Sequence, residues 1–128
     1  MKTRLFSLLL LLISFASCQS QSKSPELVSP EVFAKKTEAA AVQLVDVRTP
    51  KEYRQGHLKG AENIHLYDQD FVDRINKLDK TKPVYVYCKA GGRSAEAVEI
   101  MQAQGFQNII ELKGGTDSWT ESGKPLEQ

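Results

Sequence analysis

Apolar positions fall into two regimes along the chain. Leu5 to Ala16 is a continuous apolar run broken only by Ser7 and Ser14, whereas from residue 29 onward apolar residues come in short groups separated by turn-forming residues. In the second regime, Ser29-Pro30-Glu31 predicts a helix start, with serine as cap and proline in the first turn. Val32, Phe33 and Lys36 follow at helical spacing, and the pattern fades through residues 39–41. Val42 to Val47 reads as a buried strand because β-branched residues dominate it. Thr49-Pro50 opens a second helix that Gly56 ends, and Ala61 to Ile64 reads as a short strand. Phe71, Val72, Ile75 and Leu78 share one face of a predicted helix over 68–78. Val84 to Cys88 predicts a second strong strand, 94–104 a helix with Ala97, Val98 and Met101 inward, 108–112 a strand and 116–121 a last short helix. Short apolar strands alternating with helices predict an α/β fold with a mainly parallel sheet.

The first regime has a different meaning. Lys2 and Arg4 precede the apolar run, which is too short for the roughly 20 residues that cross a bilayer. Basic residues followed by such a run match a secretory signal peptide. Phe15-Ala16-Ser17-Cys18 resembles the lipobox of bacterial lipoproteins, although Phe15 stands where leucine is usual. The resemblance implies a signal over residues 1–17, lipid attachment at Cys18, and a periplasmic-side location on a membrane; which membrane is left open, the outer one being a first candidate because Gln19 is not the aspartate that retains some lipoproteins at the inner membrane. A plain secretory signal cut near Ser17 is the alternative. The polar stretch QSQSKS at 19–24 makes residues 18–28 an expected flexible tether, with the folded domain over 29–128.

Length and composition narrow the rest. A chain of 128 residues holds one domain. A net charge of +1 points to neither nucleic acid nor an anionic membrane surface. Two cysteines and two histidines, scattered along the chain, make neither a disulfide framework nor a metal site. No dinucleotide or P-loop glycine pattern is present, so no cofactor is expected.

The candidate chemistry lies at the end of the second strong strand, where open parallel sheets place their sites. Cys88-Lys89-Ala90-Gly91-Gly92-Arg93-Ser94 joins a strand to a helix. The two glycines allow positive φ and close backbone approach. The helix start aims free N–H groups at one point, where its dipole also favours negative charge. Lys89 and Arg93 are expected to add positive charge. A cysteine at the head of such a loop is favoured as the thiolate. With Cys18 lipidated, Cys88 would be the one thiol left in an exported chain and could form no intrachain disulfide.

This loop resembles the active-site loop of the rhodanese family, Cys-(Arg/Lys)-x-Gly-x-Arg-Ser. Asp46-Val47-Arg48, Glu52-Tyr53 and Gly56-His57-Leu58-Lys59-Gly60-Ala61-Glu62-Asn63-Ile64 resemble the family's N-terminal signature. Leu112-Lys113-Gly114-Gly115 with Trp119, Gly123 and Pro125 resembles its C-terminal one, except that Thr116 replaces the usual aromatic. The resemblance covers about residues 29–126. It implies the rhodanese-like fold, a mainly parallel central sheet with helices on both faces, and Cys88 as a nucleophile that carries sulfur as a persulfide. Residues 89–94 (Lys89, Ala90, Gly91, Gly92, Arg93 and Ser94) would form the substrate cradle. The implied activity moves sulfane sulfur from a donor such as thiosulfate to cyanide, a thiol or a thiol protein.

Two other readings compete. Related cell-cycle phosphatases and arsenate reductases use Cys-x5-Arg, and here the spacing is Cys-x4-Arg, a smaller cradle suited to a single sulfur atom. A non-catalytic module, or a carrier that hands its persulfide to a partner protein, is the other. Among the remaining residues, Asp46 and Arg48 are expected to hold loops together near the site, His57 to be structural, His65 an ordinary loop residue, and Trp119 core or pocket wall.

Overall fold

The computed structural model describes residues 21–39 and 41–128, so the expected signal peptide and Cys18 lie outside the described residues. In chain order the elements are β1 (Glu26–Val28), α1 (Pro30–Thr37), β2 (Gln43–Asp46), α2 (Pro50–Gln55), β3 (Glu62–Asn63), α3 (Phe71–Ile75), β4 (Val84–Tyr87), α4 (Gly92–Ala103), β5 (Ile109–Leu112) and α5 (Gly115–Glu121). The strands form one sheet in the order β1-β5-β4-β2-β3, and every pairing is parallel.

β4 is central and buried at every position, which its unbroken run of Val and Tyr allows because both faces of the sheet are covered. On one face, Val45, Val47, Val84, Val86, Cys88 and Ile109 pack beneath Phe71 and Ile75 of α3 and Ala97, Val98 and Met101 of α4. On the other, Leu44, Tyr85, Tyr87, Ile110 and Leu112 meet Phe33 of α1 and Trp119 of α5. Phe33 sits edge-on to both Tyr85 and Trp119, at centroid distances of 5.7 and 6.4 Å. Full burial of one such side chain is worth about 2–3 kcal/mol. Trp119 is therefore core, with its indole N–H donating to the Pro125 carbonyl at 2.9 Å.

Both predicted caps form. Ser29 accepts from Val32 N–H, and Thr49 forms a reciprocal capping box with Glu52. Most strand ends and the start of α5 differ from expectation by a single residue, and three differences are of more consequence. Residues 26–28, assigned to the tether, form β1, with Glu26, Leu27 and Val28 in register with Ile110, Glu111 and Leu112. An edge strand takes its hydrogen bonds from its neighbour, so three residues suffice where their own pattern is too short to be read. α3 is shorter than 68–78. Lys77 and Leu78 donate to Arg74 and Ile75, three residues back, which is turn geometry, although Leu78 still packs on the core. α4 starts at Gly92 rather than Ser94.

The Asp46–Arg48 pair is buried, with Nη2 to Oδ2 at 2.7 Å, and the same Arg48 nitrogen donates to the Gly56 carbonyl at 2.7 Å. Asn63 donates to the carbonyls of Asp46 and Arg48. These bonds tie β2, the end of α2 and β3 together beside the β4 loop. His57 stacks on Tyr53 at 3.8 Å and its backbone pairs with Glu127, a structural role. His65 sits 3.1 Å from Asp68.

Candidate active site

Cys88 directly follows β4, beneath the loop, and is 1% exposed. Its sulfur accepts the Gly91 N–H at 3.0 Å. The turn that brings this N–H onto the sulfur requires φ of +118° at Gly91, a conformation that side chains disfavour. Gly92 does not share it. It is the first residue of α4 with an ordinary φ, and a Cβ there would meet open space. The expectation that both glycines serve positive φ is therefore corrected: Gly91 alone shapes this turn. Gly92, Arg93 and Ser94 occupy the first turn of α4, where backbone N–H groups have no intrahelical carbonyl to bind.

The loop's carbonyls are held away from this cluster of donors. Thr116 N–H bonds the Cys88 carbonyl at 2.9 Å and Asp117 N–H bonds the Lys89 carbonyl at 3.0 Å. The first turn of α5 thus takes the Cys88 and Lys89 carbonyls, while the Gly91 N–H is left on the sulfur. Thr116, the departure from the family signature, is 6% exposed and makes this contact through its backbone.

The two cations of the loop are engaged in ion pairs instead of standing free for an anion. Lys89 Nζ lies 2.8 Å from Asp117 Oδ1, with both side chains about half exposed. Arg93 makes a bidentate pair with Glu52, at 2.8 and 2.9 Å. That pair joins α2 to the start of α4, and Glu52 also accepts from the backbone and hydroxyl of Thr49. Negative charge at the sulfur thus meets backbone dipoles first and neutralised side-chain pairs second.

Arg93, together with the Thr49 bonds, holds the Glu52 carboxyl well below its ordinary range, at about 2, against the raising effect of burial. A carboxylate with a depressed folded-state pKa stabilises the fold above its unfolded value and loses that contribution as pH falls through the folded value. Glu52→Gln is therefore expected to lower the melting temperature at neutral pH and to converge with the parent as pH falls from about 4.5 to about 2. Thermal unfolding across that range checks it. A gap that stays constant down to pH 2 would remove the Glu52 charge as its source.

Ser94 completes the site. It is fully buried, accepts from the Cys88 thiol at 3.3 Å, and donates to Glu111 at 2.7 Å. Ser94 was legible from the loop; Glu52, Asp117, Glu111 and Gly115 were not assigned to the site, because each reaches it only through the fold. A groove of about 630 Å³ is lined by Ala34, Thr37, Val42, Leu58 and Trp119 among others and holds no residue of the Cys88 loop. It lies at the N-terminal end of β2, away from Cys88.

The Rhodanese-like domain family model matches residues 29–122. The chain belongs to the rhodanese family. It is 34% identical over 86 residues to a thiosulfate sulfurtransferase, GlpE, of Shewanella oneidensis, covering 67% of this chain and 83% of that protein. It is 30% identical over 101 residues to a sulfurtransferase of Allochromatium vinosum, covering 79% and 92%. An uncharacterised Bacillus subtilis protein, YqhL, is 42% identical over 77 residues, 60% of each chain. Among solved structures, SSP1007 of Staphylococcus saprophyticus superimposes with a TM-score of 0.68 at 34% identity, covering 80% of this chain and 99% of that one. The five-stranded parallel sheet with helices on both faces is thus the rhodanese fold expected from the sequence.

Proposed function

We propose that this rhodanese domain is a sulfurtransferase that moves sulfane sulfur from thiosulfate, or a chemically similar donor, through a persulfide on Cys88 to a thiophilic acceptor such as cyanide or a thiol. The observation that carries the reading is the sulfur itself, at the C-terminal end of the central strand and receiving the Gly91 N–H at 3.0 Å. In the first half-reaction the Cys88 sulfur attacks the outer sulfur of the donor. The donor's S–S bond breaks and sulfite leaves with the electron pair. The outer sulfur then carries the negative charge, and the N–H groups at the start of α4 face it, as donors face an oxyanion in acyl transfer. In the second half-reaction the acceptor attacks that outer sulfur and Cys88 departs as the thiolate. The four residues between Cys88 and Arg93 leave a cradle of single-atom size.

Thiosulfate is expected to add about 32 Da, one sulfur, to the chain, and cyanide to remove it. Intact-mass measurement before and after each addition checks this. A chain that gains no mass in excess thiosulfate would overturn the reading.

The location is a separate proposal that rests on the sequence. Cys18 anchors the domain at the periplasmic side of a membrane through lipid. A Cys18→Ser chain is expected to leave the membrane fraction, and its retention there after normal cleavage would overturn the anchor.

A further inference from the structure

Glu111 is a carboxylate on a core strand that the mechanism above does not use. It lies on β5, on the sheet face that carries Cys88, with Val86 of β4 and Leu27 of β1 beside it in register. Neither neighbour is charged. The charged residues of α4 are occupied or turned away: Arg93 pairs with Glu52, Glu96 receives the Tyr67 hydroxyl, and Glu99 is exposed. Glu26 of β1 pairs with Lys36, and Lys113 of β5 is exposed. Among the described residues, the one hydrogen bond recorded to the Glu111 side chain comes from Ser94. Burial raises its carboxyl above the ordinary range, against the lowering effect of the Ser94 bond.

Ser94 has one hydrogen to give. Two acceptors lie within reach, Glu111 at 2.7 Å and the Gly91 carbonyl at 3.2 Å. The shorter bond, to an ionised group, is the stronger. With its hydrogen on Glu111, Ser94 turns a lone pair to Cys88 and receives the thiol hydrogen at 3.3 Å. The chain therefore runs one way, from Cys88 to Ser94 to Glu111.

We propose that Glu111 is a positioning residue that, through Ser94, sets the direction of the hydrogen bond at Cys88 and stores the thiol proton while the sulfur carries charge. With Glu111 ionised, the hydrogen bond at Cys88 runs from the sulfur to Ser94 instead of toward the sulfur, the reverse of what the loop alone leads one to expect. When Cys88 becomes charged, its proton passes to Ser94 and the proton of Ser94 passes to Glu111. The carboxyl then donates to Ser94, and Ser94 donates to the sulfur. The pair keeps one proton and one negative charge throughout. On the sulfurtransferase reading, thiol, carboxylate and thiosulfate become persulfide anion, carboxyl and sulfite, and departure of the sulfur to an acceptor thiolate returns the proton to Cys88. The direction of the chain in the resting protein is independent of that reading.

The test uses iodoacetamide, a neutral alkylating agent that needs no sulfur donor. Glu111→Gln can donate to Ser94 but carries no charge, so it frees the Ser94 hydrogen for the sulfur. Near pH 7, Cys88 alkylation in Glu111→Gln is expected to be about tenfold faster than in the parent, the worth of one hydrogen bond to a charged group. In a Ser94→Ala background the same substitution should add nothing, and thermal unfolding identifies any chain that alkylates fast because it is unfolded. Equal alkylation rates in the parent and a folded Glu111→Gln chain, or an undiminished tenfold gain without Ser94, would overturn the proposal. Infrared difference spectra on thiosulfate loading should show a protonated carboxyl band that Glu111→Gln lacks; loading of the parent without that band would overturn the proton-store role. If thiosulfate fails to load the parent at all, the sulfurtransferase reading falls, while the alkylation result still decides the direction of the chain.

Discussion

Cys88→Ser is expected to lose about 10⁴-fold or more in thiosulfate-dependent turnover while keeping its fold. The substitution changes one buried atom. Serine is smaller by little, and its hydroxyl meets the same two partners, the Gly91 N–H and the Ser94 hydroxyl. The exchange is close in volume and its hydroxyl is partnered, so the fold is expected to survive it. The chemistry is lost for a separate reason. A hydroxyl is far less acidic than a thiol and is a poor nucleophile toward divalent sulfur, so no persulfide can form. The cradle of N–H groups survives but has nothing covalent to hold. Thiocyanate production from thiosulfate and cyanide measures the loss, and circular dichroism checks the fold. Turnover within tenfold of the parent would remove Cys88 from the mechanism.

The sequence carried most of the strands, the caps and the Cys88 loop because each is a local pattern. β4 is legible as Val-Tyr-Val-Tyr, and α2 as Thr-Pro followed by a glutamate three residues after the cap. What stayed hidden depends on contacts between distant segments. β1 is three residues whose strand character comes from pairing with β5. The partners of the loop cations are Glu52 and Asp117, 41 and 28 residues away in sequence. Reading Lys89 and Arg93 as free cations followed from residue type alone, and the fold supplies the carboxylates that neutralise them. Glu111 looks like an ordinary polar interruption in an apolar strand, and its meaning comes from α4 crossing above it with Ser94. The Gly114-Gly115 pair was legible as a signature, but not why it must be glycine.

That reason makes Gly115→Ala the most damaging single-methyl change expected outside the nucleophile. Gly115 is the first residue of α5, with φ of +59°, a region where side chains are strained. A Cβ built there would overlap the carbonyl oxygens of both Cys88 and Lys89. These are the carbonyls that Thr116 and Asp117 hold, at 2.9 and 3.0 Å. The methyl group cannot be accommodated without moving α5 away from the loop. Those two bonds then lengthen, the carbonyls are released, and the donors around Cys88 lose their fixed aim. Overpacking and the left-handed backbone each cost on the order of 1–3 kcal/mol, so a combined loss of about 3 kcal/mol is expected. In a domain of this size that lowers the melting temperature by about 10–20 °C. Gly92→Ala is the control, because a Cβ at Gly92 meets nothing within 4 Å and φ there is ordinary. Its melting temperature is expected to stay near that of the parent. At a temperature where all three chains are folded, Gly115→Ala should also lower kcat, by about 10²-fold if the loss is equivalent to one misplaced oxyanion-type donor. Unfolding curves and steady-state kinetics of the two variants decide between the outcomes. Equal melting temperatures for Gly115→Ala and Gly92→Ala would mean that α5 does not brace the loop.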